Sequence, residues 1–188
     1  MASGAPAWVA HADWGTAPRK RVVATAEWNG GAYRIRGPQL VAADGTLAER
    51  LGVHLGPPQT ALLGFDFPIG VPRRYAELAG IEQFTKWLCE LPPDAPFFEV
   101  AATLDDVRVR RPFFPRSIRV PSPGIKRAFH DRLGLSDREV LRLCDRAHDA
   151  RRAAPELFWT LGPQAVGKAA LSGWRDALRP ALADRATD

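Results

Sequence analysis

Residues 7–37 read AWVAHADWGTAPRKRVVATAEWNGGAYRIRG, and the fold turns on how they are taken. Ala7 to Ala12 form a short apolar run that ends in Asp13-Trp14-Gly15-Thr16, residues suited to a loop. β-Forming residues return from Lys20 to Trp28 and stop at Asn29-Gly30-Gly31. An Asn-Gly pair between two such runs is a strong hairpin signal. Ala32 to Gly37 then alternates, with Arg34 and Arg36 expected to face outward and Tyr33 and Ile35 inward. A three-stranded antiparallel meander is therefore expected.

Downstream, Thr46 to Leu55 (TLAERLGVHL) repeats leucine at 47, 51 and 55, which predicts a helix stopped by Gly56-Pro57-Pro58. Thr60 to Phe67 (TALLGFDF) reads as a buried strand that ends at Asp66. From Arg73 to about Leu91 the pattern is helical, with Leu78, Ile81, Phe84, Trp87 and Leu88 on one broad face. Residues 92–124 carry many prolines between basic and aromatic residues, which predicts an ordered but irregular excursion. A final helix is expected over residues 135–153 (LSDREVLRLCDRAHDARRA), opened by a Ser136–Glu139 capping box.

Composition narrows the class. The chain has 188 residues, 46% of them apolar and 25% charged, which fits a soluble globular protein of one domain. Lys and Arg number 26 against 21 acids, a net +5 that favours an anionic partner. It falls short of the dense patch of a dedicated nucleic-acid binder. The two cysteines, Cys89 and Cys144, lie far apart and read as thiols of a reducing cytosol. Neither a signal-peptide pattern nor an apolar run of membrane-spanning length is present, so a cytoplasmic protein without a membrane partner is expected.

Asp13 and Asp66 each follow an apolar run expected to be a neighbouring central strand. Two carboxylates brought together at adjacent strand ends repel unless they share a cation or a proton. The simpler reading is that each aspartate only caps a turn. The local words favour the first: HADWGTAPRKR (11–21) places a glycine and a hydroxyl after Asp13, and GFDFPIG (64–70) places a proline turn after Asp66.

HADWGTAPRKR, LLGFDFPIGVPRRYA (62–76), RPFFPR (111–116) and ELFWTLGPQAVGKAALSGWRD (156–176) together resemble the domain of unknown function 429 family, whose members are regarded as ribonuclease H-like nucleases. The resemblance runs from about Trp8 to Trp174 on four motifs in order. It implies an α/β, ribonuclease H-like fold: a three-stranded antiparallel meander, a helix, and a further strand parallel to the first. A helical and proline-rich insertion at about 73–150 would interrupt a single domain covering 1–188. It further implies Mg2+ or Mn2+ held by Asp13 and Asp66, with Glu156 in PELFW the candidate for a third acid. Glu27 and Glu49 rank below it. Thr16, Arg19, Lys20, Arg73 and Lys168 are the candidate contacts to a nucleic acid or nucleotide. For the basic run 19–21 a solvated hairpin face is an equal alternative.

The same residues admit other classes. Asp13-Trp14-Gly15-Thr16 also resembles the first phosphate hairpin of actin-like ATPases and sugar kinases, although those enzymes close two related domains on ATP. A non-catalytic nucleic-acid or nucleotide binding module is a third reading. Arg108 to Arg116 interleaves arginines with Phe113 and Phe114, which suits base stacking or, equally, anchoring of a loop on the core. Cys144 and His148 stand one helical turn apart, but two further zinc ligands at useful spacing are lacking. His11, two positions before Asp13, is either a neighbour of the acids or a core residue.

Gly162 to Ala169 (GPQAVGKA) nearly spells a phosphate-binding loop, but Ala169 stands where the magnesium-binding hydroxyl belongs. Its glycines are expected to form the turn into a helix, with Lys168 left to meet a phosphate. Beyond Trp174 only a helix end and a tail are read. A shortened sheet is then expected, and a second copy of the chain in a homodimer would cover its exposed edge.

Overall fold

The structure, a computed structural model, describes residues 4–117, 122–162 and 165–185. Part of the proline-rich excursion (118–121), Pro163-Gln164 of the near phosphate loop and the last three tail residues lie outside the described residues. The chain divides into two compact units, Met1–Phe67 and Pro68–Asp188.

The first unit is a mixed sheet of strands β1 (Trp8–Asp13), β2 (Val22–Trp28), β3 (Tyr33–Leu40) and β4 (Ala61–Phe65), in the order β3-β2-β1-β4. The meander is present, with β1 antiparallel to β2 and β2 antiparallel to β3; β4 runs parallel to β1. Trp8, Ala10 and Ala12 alternate onto the buried face of β1, so His11 and Asp13 fall on the opposite, exposed face. The core of this unit adds Trp14, Val23, Leu51, Val53 and Phe67.

β3 departs from the expected alternation. Tyr33 and Ile35 do not point inward: they are 36% and 78% exposed, and all eight residues of the strand are exposed. The cause is position, since β3 is an edge strand of the sheet and alternation marks an inner face only where something covers it. Its ladder is also irregular: Val23 pairs with Gln39 but Thr25 with Arg36, leaving an extra residue at Gly37-Pro38. A proline with no amide hydrogen is accommodated at such an edge bulge.

Helix α1 is a single turn, Leu47–Arg50, not the longer helix expected to Leu55. Thr46 and Glu49 form a reciprocal capping box at its start, but Gly52 takes a left-handed conformation (φ +69°) and ends it. Leu51, which closes the turn, and Val53 just after it are buried, whereas Leu55 is 43% exposed.

In the second unit the 73–91 pattern resolves into α2 (Arg73–Ala79) and α3 (Phe84–Glu90), separated where Gly80 adopts φ +69°. Residues 92–117 form two short 3-10 turns and isolated bridges, as the prolines imply. Phe113 and Phe114 are buried in ring clusters with Phe97, Phe129, Phe158 and Trp174, so they anchor the loop and are not available to stack on bases.

The expected helix at 135–153 is not formed. The helix of this region is α4 (Ile125–Leu133), ended by Gly134 at φ +68°. The Ser136–Glu139 bonds do form, Ser136 N–H and Oγ–H donating to Glu139 Oε2 at 2.8 and 2.7 Å. The turn they start then gives way to a 3-10 turn at Leu143–Asp145, closed by the Arg142 fork on Asp145 at 2.6 and 2.8 Å. Without helical spacing the Cys144–His148 zinc argument fails.

The last helical stretch comprises α5 (Gly167–Gly173), a π-helical turn (Trp174–Leu178) and α6 (Arg179–Arg185). Trp174 is its anchor, fully buried, with Nε1–H donating to Pro68 O at 2.8 Å and Phe97 stacked on its ring. No helix of the described residues is long and apolar enough to cross a membrane.

Candidate functional site

Parallel pairing of β1 with β4 matches Ala12 to Phe65, so the next residues on the two strands, Asp13 and Asp66, emerge side by side. Asp66 N–H extends the ladder to Ala12 O at 3.2 Å. The returning bond joins the loop to the side chain: Trp14 N–H donates to Asp66 Oδ1 at 2.8 Å. The sequence makes this possible by placing Asp66 directly after β4, between Phe65 and Phe67, both packed edge-on against Trp14.

The Asp66 carboxyl is held above the usual carboxylate range. Partial burial among these rings is the largest cause; the Trp14 amide opposes it, and the neighbouring Asp13 carboxylate adds to the rise. Solvent still reaches both carboxylates, which are exposed by area. The pair is therefore an accessible, mutually repelling pair of oxygen donors, one of them fixed in orientation.

His11 lies on the same face as Asp13, two residues earlier. Its strand partner is Gly64, where a Cβ would come within 3.0 Å of His11 Cδ2, so the glycine makes room for the imidazole. His11 is exposed, and the core alternative for it is set aside.

After the first acid, Gly15 and Thr16 supply carbonyls to Arg21, which donates from Nε to Gly15 O at 3.0 Å and from Nη2 to Thr16 O at 3.3 Å. Arg19 and Lys20 are exposed on a 3-10 turn, Pro18–Lys20. Arg50 is a neighbour that sequence reasoning missed: its guanidinium lies 5.9 Å from the Trp14 ring, whose other close cation is Arg21 at 4.4 Å. Nothing in the local pattern of a one-turn helix marks Arg50 out. Of the lower-ranked acids, Glu27 pairs with Arg36 at 2.7 Å, and Glu49 is occupied in its capping box, which holds its carboxyl low.

The other candidates lie in the second unit. Glu156 is 16% exposed and accepts from Lys126 Nζ at 3.0 Å while facing His130 Nε2 at 3.0 Å. Burial pushes its carboxyl up, but the His130 and Lys126 hydrogen bonds outweigh this and leave it low. His130, a residue the sequence did not single out, is buried with Nδ1 2.8 Å from Asp137 Oδ1. A ring with a carboxylate on each nitrogen donates from both only as imidazolium. The Glu156 bond is the largest cause of a raised His130 pKa, with burial opposing and Asp137 assisting. Arg73 is 86% exposed and pairs with Glu77 at 3.2 Å. Lys168 Nζ reaches Arg116 O at 3.4 Å.

Among the described residues, no group of three or more His, Cys, Asp and Glu side chains is arranged to hold a metal ion. No family model matches the chain, and neither the curated proteins nor the solved structures compared with it give a match. The class defined here is an α/β protein with a four-stranded mixed sheet.

Proposed function

We propose that this chain is a metal-dependent phosphodiester hydrolase of the ribonuclease H-like class, of the kind represented by the domain of unknown function 429 family. One observation carries the reading: Asp13 and Asp66 emerge side by side at the ends of adjacent parallel strands, where partial burial, with Asp13 adding to it, keeps the Asp66 carboxyl high. The strand order β3-β2-β1-β4, with only β4 parallel to β1, supports the fold assignment.

The donor set fits Mg2+ or Mn2+. Both are hard ions, and Mg2+ is commonly held by one or two carboxylates with water completing the shell. Asp13 and Asp66 would hold it, and the repulsion between them is relieved by a dication. When bound, such an ion supplies Lewis-acid stabilisation of the charge developing on a phosphodiester. The chain's own part is orientation. Trp14 N–H fixes the Asp66 carboxylate, and strand pairing places the Asp13 backbone beside it.

The test is cleavage of labelled single-stranded, duplex and branched nucleic acids in Mn2+ or Mg2+, with ATP hydrolysis followed in parallel. Cleavage should vanish in EDTA and fall about a hundredfold or more in Asp13→Asn and Asp66→Asn, the scale of several kcal/mol of charge stabilisation. A folded protein that cleaves no nucleic acid but hydrolyses ATP would instead establish the phosphotransferase reading.

A further inference from the structure

The second unit contains a cleft of about 540 Å³ walled by α2, α3, the 91–97 segment and the Val109-Arg110 turn. That size lies within the roughly 300–1,000 Å³ of small-molecule sites. Its walls are almost wholly apolar. Trp87 stands edge-on to Phe97 with ring centroids 4.8 Å apart, and both residues line the cleft. Phe97 is buried by its neighbours, but Trp87 keeps part of its surface in water and Leu78 is 40% exposed. Apolar surface left wet inside a concavity is surface that a ligand can cover.

The rim of the cleft is fixed by hydrogen bonds. Arg108 and Arg111 close a two-residue turn, Arg111 N–H donating to Arg108 O at 2.8 Å and Arg108 N–H to Arg111 O at 3.3 Å. Tyr75, fully buried, donates its hydroxyl to Val109 O at 2.5 Å and so ties the turn to α2. Among the described residues that line the cleft, only Arg110 is charged. Its neighbours are engaged: Arg111 Nη2 pairs with Glu99 at 2.8 Å, and Arg108 Nε donates to Asp106 O at 3.4 Å. Arg110 itself has no hydrogen bond or ion pair among the described residues.

The cleft therefore offers an apolar, aromatic body and one positive end. The complementary molecule has a ring and one negative charge. A guanidinium fork takes a carboxylate bidentately and balances it charge for charge. A phosphate dianion would keep an unbalanced charge, since no second cation lines the cleft among the described residues.

We infer that this cleft is a binding site for a small aromatic carboxylate, its ring against Trp87 and Leu78 and its carboxylate on Arg110. The site stands whether or not Asp13 and Asp66 support hydrolysis.

The experiment is nitrogen–proton correlation NMR of the full chain, titrated with naphthylacetate, with the neutral naphthylacetamide and with naphthyl phosphate. Naphthylacetate should bind with a Kd of about 1 mM or tighter and shift the Trp87 indole N–H and the amides of residues 78–79 and 109–110. Arg110→Gln should weaken that binding by about fivefold or more and change affinity for the amide by less than about twofold. Ala79→Phe, which sets a ring into the cleft from α2, should abolish binding of both. Arg110 is exposed, so Arg110→Gln tests the carboxylate contact even where Ala79→Phe perturbs folding.

A wild-type spectrum unmoved by naphthylacetate at several times that concentration overturns the site. Equal affinity for the acid and the amide, or an Arg110→Gln variant that binds as wild type does, removes the carboxylate contact and the proposal with it. Tighter binding of naphthyl phosphate than of naphthylacetate assigns the cleft to a different anion and likewise overturns the proposal. Shifts at the cleft that follow protein concentration alone, with a dimeric mass by light scattering, give the cleft to a second copy of the chain and rule out the small carboxylate.

Discussion

The backbone amide of Trp14 donates to Asp66 Oδ1 at 2.8 Å, joining the residue after one acid to the other acid across 52 positions of sequence. The bond holds the Asp66 carboxylate beside Asp13, and the closeness carries an electrostatic cost. Like charges on facing positions of paired strands destabilise by roughly 0.2–1 kcal/mol.

Asp13→Asn should therefore raise the urea midpoint measured in EDTA while removing metal-dependent cleavage. Mn2+ should stabilise wild type by mass action, about 2.7 kcal/mol at a hundred times its Kd, and should lose most of that effect on the variant. A variant that is less stable than wild type in EDTA would show that the two carboxylates do not repel.

His130 sets a pH dependence in the second unit. Its folded-state pKa is raised, chiefly by Glu156, so its stabilising contribution is complete below the unfolded value of about 6.5 and is lost as pH rises through the folded value. Glu156 and Asp137 are both held low, so their contributions are complete above the unfolded carboxylate values, near 4, and are lost on acidification. Stability should peak between about pH 5 and 6.5 and decline on both sides. Urea midpoints from pH 5 to 9 should show an alkaline decline in wild type that is flattened in His130→Gln. An unchanged decline in the variant would place its cause elsewhere.

The strand pattern was readable because β1 and β2, the inner strands, alternate or cluster β-forming residues; β4, an apolar run expected to be buried, is the other edge of the sheet, with none of its residues buried and Leu62 60% exposed. Facing was not readable for β3: Ile35 obeys the alternation yet is 78% exposed, because edge position is a property of the whole sheet and not of six residues. Helix ends were misplaced where a glycine at positive φ intervenes, as at Gly52 and Gly80. Residues 135–153 carry helix-forming residues throughout, but side-chain bonds such as Arg142 to Asp145 close tighter turns that compete with the helix. Asp13 and Asp66 were found because each ends a strand. Arg50 and His130 were not, since each acquires its setting only from distant segments.

Gly167, in the near-match to a phosphate loop, is required for space. A Cβ there would stand 2.5 Å from Leu157 O and 3.1 Å from Thr160 Cγ2, and the first of these is backbone that cannot swing aside. Gly167→Ala should cost about 1–3 kcal/mol of stability through overpacking. Lys168→Ala, which loses one long bond to Arg116 O, should cost under about 0.5 kcal/mol. Thermal and urea unfolding of the two variants separates them, and comparable losses would contradict the packing role of the glycine.

Gly15 shapes the loop that follows the first acid. Its carbonyl receives Arg21 Nε, and a Cβ would lie 2.9 Å from Lys20 Cβ and 3.3 Å from Lys20 O. Neither atom is the free end of a side chain, so the 15–20 segment must shift to admit a methyl group. Gly15→Ala should destabilise by about 1–3 kcal/mol. The shift should also draw Arg21 away from Trp14, which tryptophan fluorescence can follow. An Mn2+-induced gain in stability that is preserved in the variant would show that the acid pair does not depend on this turn. If the fluorescence is unchanged in a variant measurably less stable than wild type, the position of Arg21 does not depend on it either.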